Sequence, residues 1–490
     1  MVVPYPVSRL TRRHVLTRSA VLALATLLAA CSTRQPPATI SPTGTPLTPS
    51  SPTPQPPLAT ATVVPTIDPH PRIDLLPSPA LVDTLVSLRL IGFPLGQDVM
   101  LAATMPVAGA GVYRSFASFR TNAQGAVDVA TQAPLPDTTH APQIISATYN
   151  APDAMGLFWS MTLTPDANVP ATSSRVYAVP PPWAMTFAAS VAGTTVASAT
   201  TERRFVDPAV TRIPIRDQGL VGTLFLPGDP GSHPGVLTWG GSSGGYTESQ
   251  AALLASHGFA ALALAYFGVP PLPENLLNIP LEYVATAIAW MQAQAGVDGA
   301  RLAVLGTSRG GELALLVGAT FPQIRAVIGY VPSGLLWPGN DNTGRHQPGP
   351  AWTYQGMPLP YVTTATSYFG TRYADPTDLA RATIPVERIN GPVLLISGED
   401  DALWPSTQLA QMAMARLAQY HHPFPDQHLH YAGAGHNIGQ PYRPTTALAS
   451  GFNPTVRATE NYGGNAKGYA AAATDSWPKV LAFLHDSLTM

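Results

Sequence analysis

The chain changes its hydrophobic rhythm three times. Residues 20–30 form one apolar run, and residues 32–68 are dominated by Pro, Thr and Ser without apolar periodicity. From 69 to 200 apolar and polar positions alternate. Val86, Leu88 and Leu90 share one parity, Val99 and Leu101 restart it after the turn at 93–96, and residues 113–119 and 127–129 repeat it. Period-two alternation places the apolar side chains on one face of each strand. Short strands at regular spacing, with no convincing amphipathic helix between them, predict an immunoglobulin-like β-sandwich over 69–200.

From 205 the pattern lengthens. Residues 222–226 and 235–239 read as strands, 250–256 as a helix stopped by Gly258, and 259–266 as a continuous apolar run. A strand that is apolar at every position is one buried on both faces. Helical spacing follows over 281–293, then a strand over 302–305, a helix-compatible run over 312–316, and another buried strand over 392–397. Alternating strands and helices predict a doubly wound, mostly parallel sheet in a domain spanning 205–490.

Between the strand at 302–305 and the run at 312–316 stands Gly306-Thr307-Ser308-Arg309-Gly310. Strand, Gly-x-Ser-x-Gly, helix is the context of a nucleophile elbow, where side chains at the glycine positions would collide with neighbouring backbone. It makes Ser308 the candidate nucleophile and the domain an α/β hydrolase. A serine hydroxyl needs a base to take its proton. His436, in the loop after the strand around His430, is the candidate base. His421, His422, His428 and His430 read as surface or sheet residues. The orienting acid is sought among Glu399, Asp400 and Asp401, at the end of the strand over 392–397, and the spacing from Gly398 favours Asp401. An oxyanion hole needs two backbone N–H groups. Arg309 follows the serine and supplies one. The glycine-rich loop 240–245 supplies the other, from Gly241 first and Ser242 second. Residues 333–380, rich in Pro, Gly, Tyr and Trp, are expected to cover the pocket.

Composition removes several classes. Hydrophobic residues make up 45% and charged residues 11%, which excludes a mostly disordered chain. A formal net charge of -2 gives no basic face for nucleic acid. The one cysteine excludes an intrachain disulfide and a cysteine metal cluster, and no metal or cofactor is expected. That cysteine, Cys31, closes the apolar run behind Arg12 and Arg13. The run is shorter than the ~20 residues of a membrane span, and Leu28-Ala29-Ala30-Cys31 resembles a lipobox. Residues 11–16 resemble a twin-arginine signal. These features predict a lipoprotein signal peptide over 1–31, lipidation of Cys31, and a tether over 32–68. The protein is then expected to be exported and lipid-anchored on the extracytoplasmic face of a bacterial membrane.

The first domain contains Met155-Gly156-Leu157-Phe158-Trp159-Ser160-Met161 and the segment 78–83; the second contains the segments 222–227 and 264–267 and Gly435-His436-Asn437-Ile438. On these residues the chain resembles, from about 73 onward, the acyl-CoA thioesterase and bile acid-CoA:amino acid N-acyltransferase family. The resemblance implies a β-sandwich before an α/β hydrolase, a Ser308, Asp401 and His436 triad, and an acyl-thioester or ester substrate. Serine rather than cysteine as nucleophile implies hydrolysis. Two other readings stand beside this one: an exported carboxylesterase or acyltransferase acting on cell-envelope acyl compounds, and a non-catalytic binding protein.

Overall fold

The computed structural model describes residues 70–136, 149–166, 175–340, 346–365 and 367–489. The expected signal peptide, Cys31 and the tether lie outside the described residues.

The alternating region forms two sheets. One has three strands (Arg72–Leu76, Ser87–Ile91 and Val127–Asp128); the other has six and is centred on Asp98–Val107, Gly111–Arg120, Trp183–Val191 and Thr194–Arg204. Leu88 and Leu90 from the first sheet meet Val99, Leu101, Ala103 and Phe187 from the second in one core. The parity seen in the sequence is therefore the inward face. Where no amphipathic helix was expected there is one helical turn, Gly156–Trp159, with all four residues buried. It is too short to show helical periodicity. Gly156 is required there because a Cβ would overlap the Tyr149 ring, and Trp159 Nε1 donates to Asp153 at 2.7 Å.

The second half is built on an eight-stranded sheet: β1 (Thr211–Ile215), β2 (Val221–Leu226), β3 (His233–Trp239), β4 (Ala260–Ala265), β5 (Val297–Thr307), β6 (Ile324–Tyr330), β7 (Val393–Gly398) and β8 (Gln427–Tyr431). Their order is β1-β2-β4-β3-β5-β6-β7-β8. β2 is antiparallel to both of its neighbours, and from β4 onward every pairing is parallel. The apolar strands divide by parity between two cores. Leu262, Leu264, Leu302, Val304, Val393 and Leu395 face one, with helices Leu281–Gln292 and Arg309–Thr320. Ala261, Ala263, Ala303, Leu305, Leu394 and Ile396 face the other, with helices Glu248–Ser256 and Ala466–Thr489. A strand sandwiched this way cannot afford a polar side chain on either face, hence the continuous apolar runs. Truncating Leu262 to alanine would cost about 2–5 kcal/mol.

The two halves share polar contacts. Asp83, at the start of the sandwich, accepts a hydrogen bond from Trp477 Nε1 of the C-terminal helix and lies 2.7 Å from His257 Nε2. Both halves belong to one compact unit.

Candidate active site

Ser308 sits between β5 and the helix Arg309–Thr320, with φ 60° and ψ −121°. This region is disfavoured for a side chain with a Cβ and costs of order 1–3 kcal/mol. The surroundings enforce it. Ser308 N–H donates to Tyr330 O at 2.8 Å, and Trp239 Nε1 donates to Gly310 O at 2.7 Å. A Cβ at Gly306 would collide with Gly310 O, and one at Gly310 with Gly240 O. Both motif glycines thus answer to backbone passing within contact distance.

Three side chains from three strand ends meet at this turn. His436 Nε2 is 2.8 Å from Ser308 Oγ, and His436 Nδ1 is 2.8 Å from Asp401 Oδ2. All three residues are buried, between 6% and 7% exposed, so the contacts are shielded from bulk water and electrostatically strong. The other oxygen of Asp401 accepts from Leu403 N–H at 3.0 Å and Trp404 N–H at 3.2 Å. That leaves its carboxylate little rotational freedom. The Trp404 ring packs edge-on against His436, with centroids 5.7 Å apart.

The remaining residues weighed from the sequence lie apart from this row. Asp400 and Glu399 are exposed, and Glu399 is paired with His430. His422 is held by Asp426 and Ile389 O. His428 faces Ser397, and burial, assisted by the charge of His430, pulls its pKa down to about 4.

The glycine loop approaches from the other side. A Cβ on Gly241 would lie 2.8 Å from Ser308 Cβ and 3.2 Å from Oγ, so the backbone at Gly241 runs directly past the hydroxyl. Tyr266, buried at the end of β4, donates toward Gly240 O at 2.9 Å and Gly241 O at 3.2 Å. In a trans peptide the N–H points opposite to the C=O. Holding those two carbonyls on the Tyr266 side therefore turns the N–H groups of Gly241 and Ser242 the other way. A second tie comes from the hairpin Ser450–Asn453/Ala458–Asn461, where Asn453 Nδ2 lies 3.1 Å from both Ser242 Oγ and Glu460 Oε2. The segment leaving this hairpin also receives His436 N–H on Tyr462 O at 2.8 Å.

Behind the elbow the Arg309 side chain is buried. It is paired with Glu312 at 3.1 Å and donates to Pro338 O and Trp337 O. Burial pushes the Glu312 carboxyl up to about 7, opposed by Arg309 and by hydrogen bonds from Trp352 and from Trp337 N–H. The pair ties down the segment after β6, which carries Asn340 on the wall of the same cleft as Ser308. Burial also raises the pKa of Glu460.

Tyr266, Asn340, Asn453 and Glu460 were not singled out from the sequence. Tyr266 left one signal: a tyrosine closing an apolar strand must place its hydroxyl on a partner. The hairpin residues left none, since Asn453 reaches Ser242 across 211 positions.

Sheet order, elbow and side-chain row define an α/β hydrolase preceded by a β-sandwich. The sequence matches the model of the acyl-CoA thioester hydrolase/BAAT N-terminal region over residues 83–217 and that of the BAAT/acyl-CoA thioester hydrolase C-terminal region over residues 279–490. It is 31% identical over 429 residues to acyl-coenzyme A amino acid N-acyltransferase 1 of Mus musculus, covering 84% of this chain and 96% of the relative. It is 29% identical over 412 residues to acyl-coenzyme A thioesterase 2, mitochondrial, of Rattus norvegicus (83% and 87%). It is 28% identical over 419 residues to the peroxisomal succinyl-coenzyme A thioesterase of Mus musculus (82% and 93%). The chain belongs to the acyl-CoA thioester hydrolase/BAAT family. These relatives overturn the localisation expected from the N-terminal pattern. They are mammalian proteins, with a mitochondrial and a peroxisomal form among them, and not bacterial extracytoplasmic lipoproteins. A short apolar run behind two arginines is a compositional signal, and it does not outweigh a match across most of the chain.

Proposed function

We propose that this protein hydrolyses acyl thioesters, acyl-CoA among them, through an acyl-enzyme on Ser308. His436 Nε2 takes the proton of Ser308 Oγ as the oxygen attacks the acyl carbonyl carbon. Asp401 holds Nδ1–H, fixes the tautomer and stabilises the imidazolium. The N–H groups of Arg309 and Gly241 receive the developing oxyanion, each worth about 3 kcal/mol of transition-state stabilisation. His436 then protonates the departing sulfur. Water repeats the sequence against the acyl-enzyme, releasing the acid and restoring Ser308.

The observation that carries this reading is the pair of 2.8 Å contacts running from Ser308 through His436 to Asp401 at a strained elbow. The experiment is turnover of acyl-CoA and p-nitrophenyl esters by the wild-type chain beside Ser308→Ala. The expected result is loss of nearly all turnover in the variant; equal turnover rejects the reading. A second reading, transfer of the acyl group to an amine, is favoured by the Glu460 carboxylate on the wall of the cleft, which attracts an ammonium; the nitrogen attacks the acyl-enzyme only after losing a proton, and His436 takes the proton released in the step. N-acyl product formed in the presence of added glycine separates transfer from hydrolysis. A binding role without catalysis predicts no labelling of Ser308 by a fluorophosphonate.

A further inference from the structure

The cleft at Ser308 has two sides. One, of about 320 Å³, is lined by the glycine loop, by His436 and the residues that follow it, and by Tyr177. The other, of about 250 Å³, is lined by Arg309, Asn340, Tyr368, Trp404, Val456 and Glu460. Among the described residues His436 lines the first side and not the second. A leaving group must collect its proton from His436, so it departs along the first side. The acyl group that stays on Ser308 occupies the second.

That second side is small. At about 250 Å³ it falls below the roughly 300–1,000 Å³ of pockets that hold a drug-sized ligand, which suits a short acyl chain better than a long one. It is also polar. Asn340 is 6% exposed, and its Oδ1 is buried without a hydrogen-bond partner among the described residues. Its backbone is paired in both directions with Leu276, so the side-chain amide is not needed to hold its own strand. Leaving a buried amide oxygen unpaired is costly. A site lined by such a group discriminates strongly for substrates that satisfy it.

Charge narrows the choice. Arg309, the cation on this wall, is committed to Glu312 and to two carbonyls, and Glu460 is acidic. An acyl chain ending in a carboxylate would meet an anion and no uncommitted cation among the described residues of this wall. A hydroxyl is neutral and both donates and accepts, so it serves either orientation of the Asn340 amide.

We propose that the Ser308 site takes short acyl groups bearing a neutral hydroxyl, with the Asn340 side-chain amide as the specificity-determining group. This rests on the acyl-enzyme reading above. The test compares kcat/KM of the full chain on 3-hydroxybutyryl-, butyryl- and palmitoyl-CoA, for wild type and Asn340→Leu. Wild type is expected to favour the hydroxyacyl substrate over butyryl by roughly tenfold or more, with palmitoyl last. Asn340→Leu should bring the hydroxyacyl-to-butyryl ratio toward one, in protein whose Ser308 still labels with a fluorophosphonate. A wild-type preference for palmitoyl overturns the proposal, as does a ratio unchanged by the substitution. Should the leucine variant not fold, the wild-type ratio alone decides, and a value at or below one overturns it. Failure of the acyl-enzyme reading looks different: Ser308→Ala would then turn over all three substrates as wild type does.

Discussion

The elbow and the glycine loop flank the same hydroxyl and are held by opposite means. The elbow is fixed by exclusion. There is no room for a Cβ at Gly306 or Gly310, and Ser308 is left in a backbone conformation that few residues tolerate. The glycine loop is fixed by attraction from a distance, through the Tyr266 hydroxyl from β4 and the Asn453 amide from a hairpin two hundred residues later. Steric exclusion is written into adjacent residues. Hydrogen-bond restraint is written wherever the fold brings a donor. One half of the site is therefore a local motif and the other a product of tertiary structure.

The largest expected effect moves neither region and sets the scale for the other two. Asp401→Asn keeps an oxygen for the Leu403 and Trp404 N–H groups but presents the wrong partner to His436 Nδ1. Under the proposed mechanism kcat falls about ten-thousandfold, some 5 kcal/mol, while the near-ultraviolet circular dichroism spectrum stays that of wild type. Retention of more than a tenth of wild-type kcat would remove Asp401 from the mechanism.

Tyr266→Phe loosens the glycine loop and leaves the elbow alone. It deletes one hydroxyl of a fully buried side chain and unties two carbonyls, so the N–H groups of Gly241 and Ser242 lose their fixed direction. The ceiling is the loss of one oxyanion donor, about a hundred- to a thousandfold. Because the donors stay and only their restraint goes, the expected fall in kcat is roughly tenfold, with KM within about twofold. Steady-state kinetics separates this from a merely structural role, which would lower the unfolding midpoint and spare kcat.

The same contrast explains what the sequence disclosed. Doubly buried strands such as Ala260–Ala265 announce themselves because both faces demand apolar residues. Ser308 and Asp401 could be named because each follows such a run at its C-terminal end, whereas His436 follows the polar strand Gln427–Tyr431 and stood out by its glycine-containing loop. The one-turn helix Gly156–Trp159 did not announce itself, since four residues complete barely one helical period. The hairpin carrying Asn453 and Glu460 was invisible for a different reason. Its Ser450–Asn453 and Ala458–Asn461 strands are short, and Phe452 lies exposed on them, so no apolar periodicity marks them. Their place over the cleft is set by partners remote in the chain. Asn340 falls within residues 333–380, which were expected to cover the pocket, but its role depends on a cavity shape that no residue pattern encodes.

The smallest expected effect isolates the elbow's strain. Ser308→Gly and Ser308→Ala both remove the hydroxyl and its contact with His436, so their difference reports the backbone alone. At φ 60° and ψ −121° glycine carries no Cβ penalty, which favours the glycine variant by about 1–3 kcal/mol. Against this, glycine has more freedom to lose on folding, about 0.5–1 kcal/mol. The glycine variant should therefore be the more stable of two inactive proteins by roughly 1 kcal/mol, read as a higher midpoint in urea at unchanged slope. An alanine variant equal to or more stable than the glycine variant would mean that the elbow holds Ser308 without strain, and that exclusion at Gly306 and Gly310 is the whole of its rigidity.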